Sequence, residues 1–252
     1  MEKSPLNRFP WESDVPQGAF WDSLSNDNLG RQFLRVFSAD ETIALSLDNM
    51  AHLDKVAKLQ LLESLILDRM RNKPLPHVPE SLSSNDFYNI WHRREFLLAH
   101  VQREQGATKM VEAEQRYRTM IDIWGKRNDP DKKWPQDLGS IDNLFIILAQ
   151  QNRFSEAELL AKELIGLIRQ CPDLGYGSPM NIGIMLKLMD IFGKQGKYDE
   201  ALALNAEGYA AIDIMAKGMF AKYVDTQRKS LDQMKRALEE HRSWESGYLI
   251  IR

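Results

Sequence analysis

From Asp40 to Arg71 the apolar residues recur at Ile43, Leu47, Met50, Leu53, Val56, Leu59, Leu61, Leu62, Leu65 and Ile66. This spacing of three and four is that of an amphipathic helix, and the strict alternation of a strand is absent. The pattern predicts helices across 40–71, broken by a short turn around Ala51 and His52. Ser38 or Asp40 caps the first of them, since a short side-chain oxygen accepts one of the free N–H groups of a first turn. Ser84 or Asn85 likewise starts a helix containing Phe87 to Glu104. Gly and Pro cluster at 72–80, 125–139 and 172–179, leaving long stretches with few helix breakers between them.

A repeat runs through the second half. Three segments align on a Glu-Ala pair: QGATKMVEAEQRYRTMIDIW from Gln105, QNRFSEAELLAKELIGLI from Gln151 and QGKYDEALALNAEGYAAI from Gln195. Their alanines, Ala113, Ala157 and Ala201, are separated by 44 residues in both intervals. An apolar helix precedes each pair (Phe87 to Val101, Ile141 to Ala149, Ile182 to Phe192), and a Gln followed by Gly or Asn marks the turn. The unit is helix, tight turn, helix, and such self-similarity dictates fold class.

On these residues the chain resembles the tetratricopeptide repeat family, over roughly 85–217. Gly196, Tyr198 and Ala201, with Leu188 and Phe192 in the first helix, match its pattern closely. Asn152, Phe154 and Ala157 match with Leu144 and Leu148. Gln105, Gly106 and Ala113 match more loosely, because that turn carries two extra residues. Phe145 and Met189 stand where the family has a small residue, and the period exceeds its usual 34 residues, as in the long-helix variant of kinesin light chains. The alanine admits close helix approach, glycine permits a positive φ, and the aromatic plugs the angle between helices.

The expected fold is therefore all-α: an α-solenoid of antiparallel helical hairpins with capping helices at both ends. The expected organisation is an aromatic N-terminal arm and short helix (1–39), a divergent hairpin (40–71), a Pro-rich linker (72–84), three repeats (about 85–129, 130–174 and 175–217), and a capping helix with a tail (218–252). In the last of these, Phe220, Val224, Leu231, Met234 and Leu238 are expected to cover the open face of the final repeat, since solenoid hairpins bury their apolar faces only against neighbours. The ends hold Phe9, Trp11, Phe20, Trp21, Trp244 and Tyr248 to Ile251, which are expected to dock back onto the stack or to join two copies as a homodimer.

Composition narrows the function. The chain of 252 residues carries 33 Lys plus Arg against 36 Asp plus Glu, a net charge of −3. Neither sign collects in one half, so no nucleic-acid partner is expected. The single cysteine, Cys171, forms no internal disulfide and suits a reducing, cytoplasmic setting. Met1 to Pro10 has no apolar core of signal-peptide length, and the longest apolar run, Leu144 to Ala149, is far short of the roughly 20 residues that span a bilayer, so no membrane partner is expected.

No phosphate-cradling, zinc-binding or nucleophile-elbow motif occurs, and no cofactor or metal is expected. His92 and His100 are eight residues apart, too far for chelation one turn apart on a helix. Counting back from each turn, the repeat resemblance implies a concave surface lined by Arg93, Phe96, His100 and Arg103, then Asp142, Asn143, Ile146 and Gln150, then Leu186, Lys187, Asp190 and Lys194. Family members that clamp acidic tails use Lys and Asn at set places. Here Asn143 and Lys187 match, but Phe96, His100 and Gly183 do not, which argues against such a clamp. The expected function is a non-catalytic scaffold offering a groove to a peptide or partner protein. The alternative is an enzyme that binds a small molecule and uses His100 with Asp142 as an acid-base pair, the carboxylate raising the histidine pKa.

Overall fold

The protein is described by a computed structural model for residues 14–24, 27–47, 49–73, 85–126 and 137–242. Among these residues the secondary structure is entirely helical. They fall into two compact units, one ending at 126 and the other beginning at 137.

In the first unit a short helix α1 (Ala19–Asp22) and α2 (Asp27–Leu34) lead into α3 (Ala39–Leu47). Ser38 closes a capping box at the start of α3. Its Oγ accepts from the Glu41 N–H at 3.3 Å, and the Glu41 carboxylate accepts from the Ser38 N–H at 2.8 Å. The expected break at Ala51 and His52 is a 3₁₀ turn, Asn49–His52. Beyond it, Asp54 caps α4 (Lys55–Asn72) by accepting from the Ala57 N–H at 2.8 Å. Helix α4 lies along α5 (Asn85–Glu104), which packs on α6 (Met110–Lys126), while α3 packs on α1, α2 and the 3₁₀ turn. Asn85 is the first residue of α5; Ser84 and the expected linker from 74 onward lie outside the described residues.

The core of this unit is aromatic. Phe20 and Trp21 of α1 are buried with Leu29 and Phe33 of α2, Phe37, Leu59, Leu62 and Ile66 of α4, and Leu97, Leu98 and Val101 of α5. Trp21 meets Phe33 at 5.1 Å between ring centroids, and Phe33 stacks on Phe37 at 4.1 Å. Each such ring removes on the order of 150–250 Å² from water, enough to order so short a helix as α1. The expectation that Trp21 packs inward is met, whereas Trp11 lies outside the described residues.

The second unit contains α7 (Leu138–Gln150), α8 (Phe154–Gln170), α9 (Pro179–Lys194), α10 (Tyr198–Met215) and α11 (Val224–Glu239). Helices α7 to α11 each pack on the next, and α11 also packs on α9. Three residues separate α7 from α8, and α9 from α10. A connection so short between helices that pack along one another makes each pair antiparallel. Asp137 caps α7, and Ser178 caps α9 with Pro179 at its first position. Leu231, Met234 and Leu238 of α11 are buried, as is Phe220 ahead of it, and they cover α10 and α9. Gly208 of α10 allows this approach, since a Cβ there would lie 2.7 Å from Leu231 Cδ2. The tail beyond 242, with Trp244 and Tyr248 to Ile251, lies outside the described residues.

The three aligned segments share a left-handed turn residue, and the second and third share the whole turn. Gly106, Asn152 and Gly196 have φ of 79°, 59° and 74°, all left-handed. After α7 and α9 the chain closes identically: the Arg153 N–H donates to the Leu148 carbonyl at 2.9 Å, and the Lys197 N–H donates to the Phe192 carbonyl at 2.9 Å. Ala113, Ala157 and Ala201 are each fully buried, and so are Phe145 and Met189. Replacing Ala157 or Ala201 with Leu should destabilise the protein by about 1–3 kcal/mol through overpacking, read as a lower urea midpoint. Leu at exposed Ala210 of α10 should leave that midpoint within about 0.5 kcal/mol of the parent.

Candidate functional site

The residues expected to line a groove divide between the two units. On α5, Arg93 is exposed and Arg103 half-buried, while Phe96 and His100 are buried. Phe96 lies between His92, at 5.8 Å and inclined by 30°, and Tyr117 of α6, edge-on at 5.7 Å. Its place in the expected groove follows from counting back from the turn on the repeat resemblance, whereas the face of α5 that carries it packs against Tyr117 of α6.

His100 is 1% exposed, with its Nε2 3.1 Å from an Arg103 Nη2 and 3.9 Å from a Glu104 carboxylate oxygen. An arginine nitrogen can only donate, so Nε2 is the acceptor and the ring proton sits on Nδ1. Burial first, and then the positive charge of Arg103, lower the His100 pKa to about 3; Glu104 opposes them without prevailing. Burial pushes the Glu104 carboxyl up, but Arg103, His100 and Lys55 together hold it below its usual range.

In the second unit Asp142 of α7 accepts from Lys187 of α9 at 2.6 Å, both half-buried, which ties the two first helices together. Asp190 and Lys194 pair along α9 at 2.7 Å. Asn143 is buried and donates to the Gly139 carbonyl one turn back at 2.8 Å. Ile146 and Leu186 are buried, whereas Gln150 and Lys194 are exposed. The surface available to a partner here is thus Asp142, Gln150, Lys187, Asp190 and Lys194, a polar strip along α7 and α9.

His100 and Asp142 belong to different units, and each has its own partners. The sequence reading expected a carboxylate to raise the histidine pKa, and this is corrected: burial and the Arg103 guanidinium lower it. Asp142 is engaged by an ammonium on α9. Among the described residues no group of three or more His, Cys, Asp or Glu is placed to hold a metal ion, and Cys171 is buried.

A polar network inside the first unit was not expected from the sequence. Glu63 of α4, 8% exposed, accepts from the Gln102 amide at 2.9 Å and the Gln105 amide at 2.8 Å, and Lys109 lies 3.3 Å away. Burial pushes the Glu63 carboxyl up, but these donors outweigh it and hold it below the usual carboxylate range. Arg116 of α6 donates to Gln102 at 3.0 Å and pairs with Glu95. The sequence signal was Glu63 itself, beside Leu62 and within a turn of Leu59 and Ile66 on an otherwise inward stripe. Lys58, 1% exposed, is a second case, donating to Ser23 Oγ beneath the Phe20 ring.

Compared with known proteins, the chain matches no family model, no curated protein and no solved structure. Among the described residues no helix is long and apolar enough to cross a membrane.

The depressed pKa of His100 has a pH consequence. The unfolded chain takes up a proton near pH 6.5, while the folded chain resists it down to about 3. His100 therefore supports stability above about pH 6.5 and loses that contribution as pH falls toward the folded value. At about pH 5 the loss should approach 2 kcal/mol, since each unit is about 1.36 kcal/mol. Urea unfolding at about pH 7.5 and pH 5 should show a smaller difference in His100→Gln than in the parent.

Proposed function

We propose that this protein is a helical-repeat module of tetratricopeptide type, an α-solenoid that recognises a peptide or a partner protein without catalysing a reaction. The observation that carries this reading is the matched turns at Asn152 and Gly196, each a left-handed residue with the same backbone closure and a fully buried alanine five residues later; Gly106 and the buried Ala113 form a looser third case with two more residues between them. Hairpins built on one register stack through a shared interface and leave the surface of their first helices open along the stack. On α7 and α9 that surface is charged and carries both signs, with Asp142 and Lys187 holding each other in place. Such a strip recognises a partner through complementary charges and hydrogen bonds.

Proton transfer between His100 and Asp142 is the weaker reading. A histidine with a pKa of about 3 is a poor base near neutral pH, and its nearest charge is an arginine.

Photo-crosslinking tests the interaction reading. A photoreactive residue at Gln150 or Lys194, both exposed on first helices, should capture a discrete protein from cell extract. The same probe at Leu159, 71% exposed on α8, should not capture it. Lys187→Glu, which sets two carboxylates against each other, should abolish the adduct while lowering stability by no more than about 1–2 kcal/mol. Capture through α8 alone would move the recognition surface to the second helices.

A further inference from the structure

The connection between α8 and α9, residues 171–178, is tied to α10 through Tyr176. The Tyr176 hydroxyl lies 3.3 Å from both the Glu207 carbonyl oxygen and a Glu207 carboxylate oxygen, so its one proton is shared between two acceptors. Arg169 of α8 joins the same contact: its guanidinium sits 4.7 Å from the centre of the Tyr176 ring and 2.9 Å from a Glu207 carboxylate oxygen. Arg169 also reaches Asn181 Oδ1 of α9 at 3.4 Å, and the Asn181 amide donates to the Tyr176 carbonyl at 2.7 Å. One tyrosine thus stands where α8, α9 and α10 meet. Burial first, and then the Glu207 charge, raise the pKa of its hydroxyl, which keeps the proton that Glu207 accepts.

Among the described tyrosines this one is set apart. Tyr88 and Tyr117 are buried within helices, Tyr223 is buried in the 3₁₀ turn ahead of α11, and Tyr198 and Tyr209 lie within α10. Tyr176 is half-buried and lies outside any helix, with Gly175 before it and Gly177 after it. An enzyme that modifies a side chain must draw its segment away from the fold, and a connection yields at lower cost than a helix. The contact itself is sensitive to charge. The hydroxyl that a phosphoryl group would occupy faces a carboxylate, and the guanidinium beside it already holds that carboxylate.

We propose that Tyr176 is a phosphorylation site for a tyrosine kinase using ATP, and that the phosphoryl group releases the 171–178 connection from α10. In the transfer the phenolic oxygen attacks the γ-phosphorus, the bond to ADP breaks, and the hydroxyl proton passes to the kinase. Phosphotyrosine has no hydroxyl proton for Glu207 to accept, and it sets nearly two negative charges against that carboxylate. Arg169 turns to the phosphate, because a guanidinium fork pairs more strongly with a dianion than with a single carboxylate. Glu207 then loses both of its partners here, and the Arg169 to Glu207 bridge between α8 and α10 opens. The proposal does not depend on what the first helices recognise.

The full chain, incubated in its folded state with a broad-specificity tyrosine kinase domain and magnesium ATP, tests the site by mass spectrometry. Tyr176 should be labelled at least about tenfold faster than Tyr198 and Tyr209, which serve as helical references. The chain with phosphotyrosine placed at 176 by genetic encoding tests the release. It should melt several degrees below the parent, and trypsin should cut at Arg169 sooner, since that side chain has left its bridge. Glu207→Gln removes the opposing charge, so phosphotyrosine should lower the melting point of that variant by less than half as much. Tyr176→Phe, which loses only a long hydrogen bond, should melt within a degree or two of the parent. Labelling of Tyr176 no faster than of the helical tyrosines would overturn the assignment. A phosphorylated chain that melts at or above the parent, or a fall of equal size in Glu207→Gln, would overturn the release.

Discussion

The second unit depends on how closely the helices of a hairpin approach, and a single backbone closure sets that approach. At the ends of α7 and α9 one residue turns left-handed, and the next N–H reaches back to a carbonyl five residues earlier. This satisfies an orphan carbonyl of the helix end and reverses the chain in three residues. The following helix then starts so near its partner that Ala157 and Ala201 are fully buried. Asn serves at 152 where Gly serves at 196, since a short polar side chain tolerates the left-handed region. Helix α11 ends in the same way: His241 has a φ of 51° and its ring stacks on Tyr198 at 4.0 Å, while the Arg242 N–H donates to the Ala237 carbonyl at 2.8 Å.

The first unit is held by different means. Its turn after α5 carries Gly106 in the left-handed region, but α6 begins only at Met110. Between α4, α5 and α6 the polar chain from Glu95 through Arg116 and Gln102 to Glu63 adds to the buried Ala113 in holding the helices together. A buried carboxylate is tolerated because two amides and an ammonium donate to it. Such a network fixes the register of three helices, since a shift along the axis would leave Glu63 without its donors.

Much of the architecture was legible before any coordinates. Ser38 as one of two candidate caps, the break near Ala51 and His52, and the covering role of Leu231, Met234 and Leu238 follow from local spacing, and the burial of Trp21 from the apolar area of its ring. The site was less legible. Counting back from the turns put Gln150 and Lys194, which are exposed, in one groove with Phe96, His100, Asn143, Ile146 and Leu186, which are buried. Spacing says which residues share a face, and burial of that face is decided by what packs on it.

The sequence by itself determined that this chain is helical, where some of its helices start and that the turns at Asn152 and Gly196 are alike, because propensity, capping and left-handed turns are properties of a few neighbouring residues. Only the tertiary structure decided the protonation of His100, the pairing of Asp142 with Lys187 and the satisfaction of Glu63. Each of these depends on charges and burial brought together from distant points of the chain, and Coulomb energy and desolvation are set by distance in space rather than along the sequence.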